Sequence, residues 1–405
     1  MKNERRGVSG LKVFLLIIIT IIVTFTVTYV WIYGGGRFGK ASTGNSISSA
    51  LKSDSVNTKL ISIRSRIDTD YIGNVDENEL TESAIKGYVN GLGDEYSEYY
   101  TKDEMQEFTS DVLGKYVGIG VYMTVDKNVN KIMVYNVMKN SPAEAVGLQA
   151  GDYIVAVDGT ECTGDDFENI PDKIKGKEGT KVKITIERNG NKTDYDIERK
   201  SIEITRVAST MLDNGIGYIY ISSFDGEVAK QFKNEYDSLV NQGMKSLIID
   251  LRNNGGGIVT EATDIGDLFT DKGKTLLTEV DKQGDKETID SKNDRTITMN
   301  TCVLVNQYSA SASEILAGIM QDLVDNATII GETTYGKGVI QTLYQLSDGS
   351  GLKLTTDEYL TPNGNKINKV GIKPDIEVKD YTFKGTLDKE NDTQLKKAIE
   401  TLNKQ

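Results

Sequence analysis

The chain contains 405 residues, of which 60 are acidic and 47 basic, so its formal net charge is −13. This acidic surplus argues against a nucleic-acid-binding protein, and a hydrophobic fraction of 38% excludes a wholly disordered chain. The sequence has no histidine, so a Ser-His-Asp triad, a Cys-His pair and an HExxH zinc site are impossible. Its two cysteines, Cys162 and Cys302, form no CxxC motif or disulfide framework, and we expect them to be unpaired.

A long apolar stretch, residues 11–33, follows a basic N-terminus, residues 1–10. Its length matches the ~20 residues that span a bilayer as a helix. By the positive-inside rule, a transmembrane helix here leaves the N-terminus in the cytoplasm and the rest of the chain outside the membrane. Tyr29, Trp31 and Tyr33 suit an aromatic belt at the outer end. A cleaved signal peptide is the alternative, although its apolar core is usually only ~7–15 residues.

A Gly- and Ser-rich linker, 34–50, precedes a small helical N-terminal domain, 51–110. Packing in a core is a sufficient explanation of the apolar pattern in this domain, and the domain is also a candidate surface for a homodimer. Its apolar residues recur at helical spacing: Leu60, Ile63, Ile67, Tyr71, Leu80, Ala84, Tyr88 and Leu92. The domain ends in a tyrosine-rich turn, Gly91–Met105.

Short strands bounded by turn residues occupy residues 111–200, and Asn189-Gly190 predicts a hairpin turn. A Gly-Ile-Gly strand at Tyr116–Met123 and a short Pro-led helix at Ser141–Gly147 resemble those of a PDZ domain. The resemblance implies that backbone groups bind the terminal carboxylate of a peptide, which adds a strand to the sheet edge. A tight turn is the alternative explanation of the glycines. The implied peptide-binding residues are Val117, Gly118, Ile119, Gly120 and Val121.

Strands and helices alternate over residues 201–380, before a helical tail, 381–405. This alternation predicts an α/β fold with a largely parallel sheet, in which active sites lie at the carboxyl ends of strands. The predicted strands are Gly215–Ile221, Ser246–Leu251, Thr301–Asn306, Ala327–Glu332 and Val339–Leu346. The predicted helices are Val228–Val240, Ile258–Phe269 and Ser313–Val324.

Candidate functional residues lie in three strand exits, which are the loops that follow the carboxyl ends of predicted strands. The glycine N–H groups of Asp250–Gly257 suit an oxyanion hole or a phosphate site, although a tight turn also explains them. In Asn306–Glu314, Ser311 fits either a helix N-cap or an exposed nucleophile at a strand-to-helix turn. Gly331–Gly338 nearly matches the P-loop GxxxxGK[ST], but Gly338 has no hydroxyl for Mg²⁺ and the next residues favour a strand.

Lys337 is the candidate base for Ser311, because a neutral amine can replace the missing imidazole. Its pKa, ordinarily near ~10.4, must then be lowered by burial or by a neighbouring positive charge. If residues 337–341 are extended, Gln341 lies on the same face as Lys337 and would hydrogen-bond it. An NTPase and a non-catalytic PDZ scaffold are the competing functions, and ATP-binding titration separates the first of them.

With these residues the chain resembles the carboxyl-terminal processing peptidases, also called tail-specific proteases. The matching stretches are GLGDEYSEYY, GYIYISSF, DLRNNGGG, VNQYSASASEILAG, IGETTYGKGVIQ and GIKPDIEV. The resemblance implies a multidomain α/β protein with a crotonase-like peptidase core and an inserted PDZ domain. It also implies that Ser311 is the nucleophile, Lys337 the general base and Gln341 its orienting partner. Ala312 and Gly256 would supply the oxyanion N–H groups.

Two positions depart from the family pattern. The segment QDLVDNATIIGE makes the spacing between serine and lysine one residue longer than usual, and Gly255 stands where the family commonly has a proline. Neither change removes a catalytic group. We therefore expect a serine endopeptidase anchored in a bacterial cell membrane, with its peptidase domain outside the cytoplasm. It would act on proteins or peptides with accessible C-terminal tails and use no metal or other cofactor.

Overall fold

The computed structural model describes residues 54–379 and 383–404. The predicted basic N-terminus, transmembrane helix and linker, residues 1–50, therefore lie outside the described residues. Among the helices that are described, none is both long enough and apolar enough to cross a membrane. The internal contacts divide the chain into two units, one ending at Glu77 and the other beginning at Asn78.

Two helices begin the described chain: α1, Asp54–Asp70, in the first unit, and α2, Glu77–Asn90, at the start of the second. Helix α1 exposes Leu60, Ile61 and Ile63, and α2 has no buried residue. Packing in a core therefore does not account for these apolar side chains. Next along the chain come β1, Glu98–Tyr100; α3, Lys102–Val112; and β2, Lys115–Gly118.

The segment that resembles a PDZ domain folds as an antiparallel sheet with strand order β3-β4-β5-β7-β8 and β6 beside β5. Its strands alternate between a buried and an exposed face, and the buried residues form their own hydrophobic core. Asn189 and Gly190 both have positive φ, 52° and 79°, as a two-residue hairpin turn requires. The elements are β3, Val121–Asp126; β4, Lys131–Val137; α4, Pro142–Ala145; β5, Tyr153–Val157; β6, Thr160–Glu161; α5, Ile170–Ile174; β7, Lys181–Arg188; and β8, Asn191–Glu198.

In the rest of the chain the predicted alternation of strands and helices holds only in part, because several strands follow one another without an α-helix between them. The strands are β9, Lys200–Glu203; β10, Val207–Met211; β11, Ile216–Ile221; β12, Ser246–Asp250; β13, Thr275–Asp281; β14, Lys286–Asp290; β15, Thr301–Val305; β16, Ala327–Gly331; β17, Val339–Gln345; β18, Gly351–Leu360; and β19, Ile376–Glu377. The helices are α6, Val228–Asn241; α7, Val259–Asp267; α8, Ala312–Leu323; and α9, Thr393–Leu402.

The central sheet has the strand order β10-β11-β12-β15-β16-β19, and all its pairs except β10-β11 are parallel. Helices α6, α7 and α8 share one hydrophobic core with one face of this sheet. Helix α9 packs Leu395, Ala398 and Leu402 against the other face, where Cys302 is also buried. Both Cys302 and Cys162 are free, as expected. Burial on both faces explains why these parallel strands are nearly continuous apolar runs.

A second sheet has the order β1-β18-β13-β14. Strand β17 also belongs to this sheet and pairs with β18. Strand β1 comes from the tyrosine-rich turn and pairs Glu98 with Lys353 and Tyr100 with Gly351. This pairing joins residues that are about 250 positions apart in sequence, so the tyrosine-rich turn is brought to the second sheet.

Candidate active site

Ser311 lies between the carboxyl end of β15 and the first residue of α8, at the strand-to-helix turn that the sequence indicated. Its φ of 54° and ψ of −116° are rare for a residue with a side chain, and such strain is common at catalytic turns. The turn is held from both sides, because Ala310 N–H and the Ser313 hydroxyl donate to the carbonyl oxygen of Asn254, at 3.0 and 2.9 Å. The first and second predicted strand exits are therefore in direct contact.

The glycine loop packs directly against the serine. A β-carbon added at Gly256, where φ is 105°, would lie 2.7 Å from the β-carbon of Ser311. The N–H of Gly256 donates to Asn254 Oδ1 at 2.9 Å, so this predicted oxyanion donor is engaged in this conformation. The N–H of Ala312 donates to no acceptor among residues 54–379 and 383–404. Of the two predicted donors, Ala312 is thus the one that is available.

Glu314 joins the main chains of the predicted nucleophile and the predicted base. Its side chain is fully buried, and its Oε2 accepts both the N–H of Ser311 and the N–H of Lys337 at 2.9 Å. Its Oε1 accepts the Thr334 hydroxyl at 2.6 Å and the N–H of Gly336 at 2.7 Å. Burial raises the pKa of Glu314, although these four donors act in the opposite direction. The carboxyl group of Glu314 thus holds the second and third strand exits together.

The amine of Lys337 lies over the ring of Tyr96, with Nζ 4.5 Å from the ring centre. Burial lowers the pKa of Lys337, and the positive charge of Lys353 lowers it further, while Asp94 and Glu314 oppose this shift. Both causes are those that the sequence analysis required of a lysine base. In this conformation the hydrogen bonds of the described residues include none between the Lys337 amine and the Ser311 hydroxyl.

Gln341 does not contact Lys337 through a hydrogen bond in this conformation. Its Nε2 donates to Thr355 Oγ1 at 3.3 Å, and that hydroxyl donates to Asp94 Oδ2 at 2.7 Å. The predicted shared face requires a regular strand from residue 337. Strand β17 instead begins at Val339, and its register shifts between Ile340 and Gln341. Such an irregularity breaks the alternation of side chains on which the prediction depended.

The same strand decides against the nucleotide-binding alternative. In a P-loop the residues after the lysine open a helix whose N-terminus faces the phosphates. Here the loop from Gly331 runs from β16 into strand β17, as the sequence favoured. The loop therefore lacks the helix N-terminus that phosphate binding needs.

The PDZ loop is shaped by its own packing. Gly118 pairs with Lys200 at the end of β2, and an added β-carbon there would lie 2.5 Å from the ring of Tyr116. Gly120 has a φ of 83°, and a β-carbon there would lie 2.3 Å from the β-carbon of Ser141. The fold of the loop thus requires glycine at position 120, whether or not a peptide binds, whereas at Gly118 the contact is with the side-chain ring of Tyr116 alone.

Four of the five predicted peptide-binding residues, Gly118 among them, take part in strand pairing or in the core. Val117 pairs with Ser201, Ile119 is fully buried, and Val121 pairs with Val137. Strand β3, which Val121 begins, pairs only with β4 among the described strands. Its second edge is therefore available to a peptide strand.

Several residues at the site had no role in the sequence analysis. Glu314 was named only as the end of the segment Asn306–Glu314, and Tyr96 and Asp94 lay within the tyrosine-rich turn without being named. Tyr359 and Lys353 lie on strand β18, which was not predicted. The resemblance pointed to the turn as a matching stretch, but not to a place beside the lysine.

Three family matches cover separate parts of the chain. Residues 24–104 match the activating protease CtpB N-terminal domain, residues 133–188 a PDZ domain, and residues 215–378 peptidase family S41.

Among curated proteins, the carboxy-terminal processing protease CtpA of Bacillus subtilis (strain 168) is 37% identical over 376 residues, which are 92% of this chain and 78% of that protein. A probable CtpA-like serine protease of Staphylococcus aureus (strain MSSA476) is 37% identical over 336 residues, 82% of this chain and 67% of that protein. Among solved structures, a photosystem II D1 C-terminal processing protease is 29% identical with a TM-score of 0.45, covering 78% of this chain and 86% of that one.

Proposed function

The chain belongs to peptidase family S41 as a carboxy-terminal processing serine protease with a PDZ domain, and on this premise we propose that Ser311 and Lys337 form its catalytic dyad. The observation that carries this proposal is the carboxyl group of Glu314, which binds the main-chain N–H of both residues. The lowered pKa of Lys337 adds the chemical condition that a general base needs.

The proposed reaction is acyl transfer. Neutral Lys337 takes the proton of the Ser311 hydroxyl as the serine oxygen attacks the peptide carbonyl carbon. The N–H of Ala312 stabilises the resulting oxyanion, and Gly256 would join it once its N–H turns from Asn254. Protonated Lys337 then donates its proton to the leaving amine as the C–N bond breaks. Water, deprotonated by Lys337, finally hydrolyses the ester on Ser311.

Gln341 retains its proposed role as the partner that orients the amine of Lys337. Its amide is linked through the Thr355 hydroxyl to Asp94, whose charge acts on Lys337, and this link supports the role. The role requires Gln341 to exchange its bond with Thr355 for one with Lys337 when the amine moves towards Ser311.

The dyad is tested with the full-length chain and a flexible peptide substrate. Ser311→Ala and Lys337→Ala should each abolish cleavage while the circular dichroism spectrum stays that of the wild type. Ser238→Ala and Lys272→Ala, at exposed positions, are the matched controls and should cleave normally. Cleavage by a folded Ser311→Ala or Lys337→Ala variant would refute the dyad.

We further propose that the PDZ domain presents the C-terminal tail of a substrate to this dyad. The available edge of β3 supports this proposal. The crotonase-like nature of the core is part of the same proposal, and the parallel strands β11, β12, β15 and β16 with their covering helices support it.

Membrane anchoring by residues 11–33, with the peptidase outside the cytoplasm, remains a proposal that the apolar sequence and the basic residues before it support. A protease added to intact spheroplasts should digest the PDZ segment; its survival while an outer-surface marker is digested would refute this topology. A homodimer through the N-terminal helices is supported by exposed Leu60, Ile61 and Ile63. Analytical ultracentrifugation should show a dimer that Ile61→Asp dissociates.

A further inference from the structure

Tyr359 contacts both proposed catalytic residues through their main chains. It lies on β18 with 1% of its surface exposed. Its hydroxyl donates to the carbonyl oxygen of Lys337 at 2.6 Å and to that of Ser311 at 3.1 Å. Because a tyrosine hydroxyl has a single proton, this is a shared, three-centre hydrogen bond. Glu314 thus binds the N–H groups, and Tyr359 the C=O groups, of the same two residues.

The two carbonyl oxygens differ in how much they depend on the Tyr359 hydroxyl. The carbonyl oxygen of Ser311 also accepts the N–H groups of Glu314 and Ile315, at 2.7 and 2.9 Å. The carbonyl oxygen of Lys337 accepts no other donor among residues 54–379 and 383–404. Removal of the Tyr359 hydroxyl would therefore leave this partly buried acceptor without a protein donor and release the main chain of Lys337 on one side.

The main chain of Tyr359 is fixed by its own hydrogen bonding within the sheet. Its N–H donates to the carbonyl oxygen of Gly338 at 3.1 Å, and it pairs with Glu279 across the sheet. Burial raises the pKa of Tyr359 well above its ordinary value, so the phenol stays protonated and acts as a donor rather than as an acid or base.

We propose that Tyr359 is a positioning residue of the dyad: its hydroxyl sets the separation of the Ser311 and Lys337 main chains, and thereby the reach of the lysine amine to the serine. This inference rests on the dyad proposed above. Bond-making steps need reacting atoms at near-attack distance, and a displacement of about 1 Å can cost about 10²-fold in rate.

The test is Tyr359→Phe in the full-length chain, which deletes the hydroxyl and keeps the ring. We expect kcat to fall by about 10²-fold while KM changes by less than about twofold, because the substrate-binding surface is untouched. The midpoint of the pH profile of kcat/KM should move upward, since a released Lys337 is less buried and its pKa rises towards the ordinary value. Tyr236→Phe, at another buried tyrosine of the same core, is the control and should keep wild-type kinetics.

Two further replacements separate hydrogen bonding from packing. Tyr359→4-aminophenylalanine keeps N–H donors at the same place and should restore most of kcat. Tyr359→4-methylphenylalanine fills the space of the hydroxyl without a donor and should be as slow as Tyr359→Phe; this pair also carries the test if Tyr359→Phe fails to fold. Two results would overturn the inference: a folded Tyr359→Phe with wild-type kcat, or equal rates for the amino and methyl replacements.

The Lys337→Ala variant tests the dyad separately from the role of Tyr359. If Lys337→Ala still cleaves, the dyad fails and the role of Tyr359 fails with it. If Lys337→Ala is inactive but every folded Tyr359 variant is fully active, the dyad stands and only the positioning role is refuted.

Discussion

Arg252 connects the glycine loop beside Ser311 to the C-terminal segment of the chain. Its side chain is fully buried and forms ion pairs with Asp250 at 2.6 Å and with Asp392 at 2.7 Å. It also donates to Gln394 Oε1 at 3.0 Å, and its guanidinium carbon lies 4.2 Å from the ring centre of Phe383. Because the loop that follows Arg252 packs against Ser311, this cluster is the structural support of the proposed oxyanion site.

Arg252→Met should strongly destabilise the protein, because it leaves two buried carboxylates without their cation. Removing one partner of a buried ion pair costs roughly 3–5 kcal/mol of unfolding free energy. We expect the lower end, about 3 kcal/mol, since three donors remain, one of them the main-chain N–H of residue 252, which donates to Asp250 at 3.0 Å. The Tyr218 hydroxyl still donates to Asp250 at 2.7 Å, and the N–H of Leu395 still donates to Asp392 at 2.9 Å.

The measurement is urea unfolding followed by circular dichroism, in a Ser311→Ala background so that self-cleavage does not interfere. Arg295→Met is the matched control, because Arg295 pairs with Asp271 at the surface and about half of each side chain is exposed. Exposed pairs contribute little, so this control should unfold close to the parent. A loss below about 1 kcal/mol in Arg252→Met would refute the reasoning, since it would show that the buried carboxylates do not depend on the cation.

The remaining predictions concern catalysis and peptide binding. Lys337→Arg should fold and lose nearly all turnover of a flexible peptide, because arginine keeps its proton; substantial cleavage would mean that another group is the base. In the wild type, kcat/KM should rise with pH along one ionisation whose midpoint lies below that of an ordinary lysine. Lys353→Met should move this midpoint upward by removing a positive charge, and Tyr96→Leu should move it downward by removing the ring that favours the protonated amine; shifts of the same sign would contradict this account. Gly256→Ala should stay folded but lose most turnover, since the added β-carbon would lie 2.7 Å from that of Ser311; a wild-type kcat would show that the loop moves freely. Peptides with a free C-terminal acid should bind more tightly in calorimetry than their amides, and equal affinities would exclude recognition of the terminus.

Much of the central sheet was predictable because its signals are local. Strand β12 was predicted as Ser246–Leu251 and is Ser246–Asp250, and helix α8 was predicted as Ser313–Val324 and is Ala312–Leu323. Strands buried on both faces are apolar throughout, and the helices between them show one apolar face. Strands β13, β14 and β18 were missed, because their polar residues give no such pattern and the partners of β18 are distant in sequence.

The residues of the site also divide into those that have a local sequence signal and those that do not. Ser311 and Lys337 were predicted because each lies in a short motif that can be read without its surroundings. Tyr96 and Tyr359 could not be predicted, since their places depend on how β18 pairs with β1 and β17. For Gln341 a local signal was present but misleading. The prediction assumed that side chains alternate regularly from residue 337 to 341, and the register shift between Ile340 and Gln341 interrupts that alternation.

The surroundings of Lys337 act on its proton in opposite directions. Burial and the charge of Lys353 favour the neutral amine, while the ring of Tyr96 attracts the protonated one, an interaction of roughly 0.5–2 kcal/mol. The attraction to the ring requires the charge, so the loss of the proton that makes Lys337 a base also removes much of what holds the amine over Tyr96. We therefore infer that the position on Tyr96 belongs to the protonated lysine and that the position within reach of Ser311 belongs to the neutral one. The opposite midpoint shifts of Lys353→Met and Tyr96→Leu follow from this division, because one variant removes a force against the proton and the other a force that retains it.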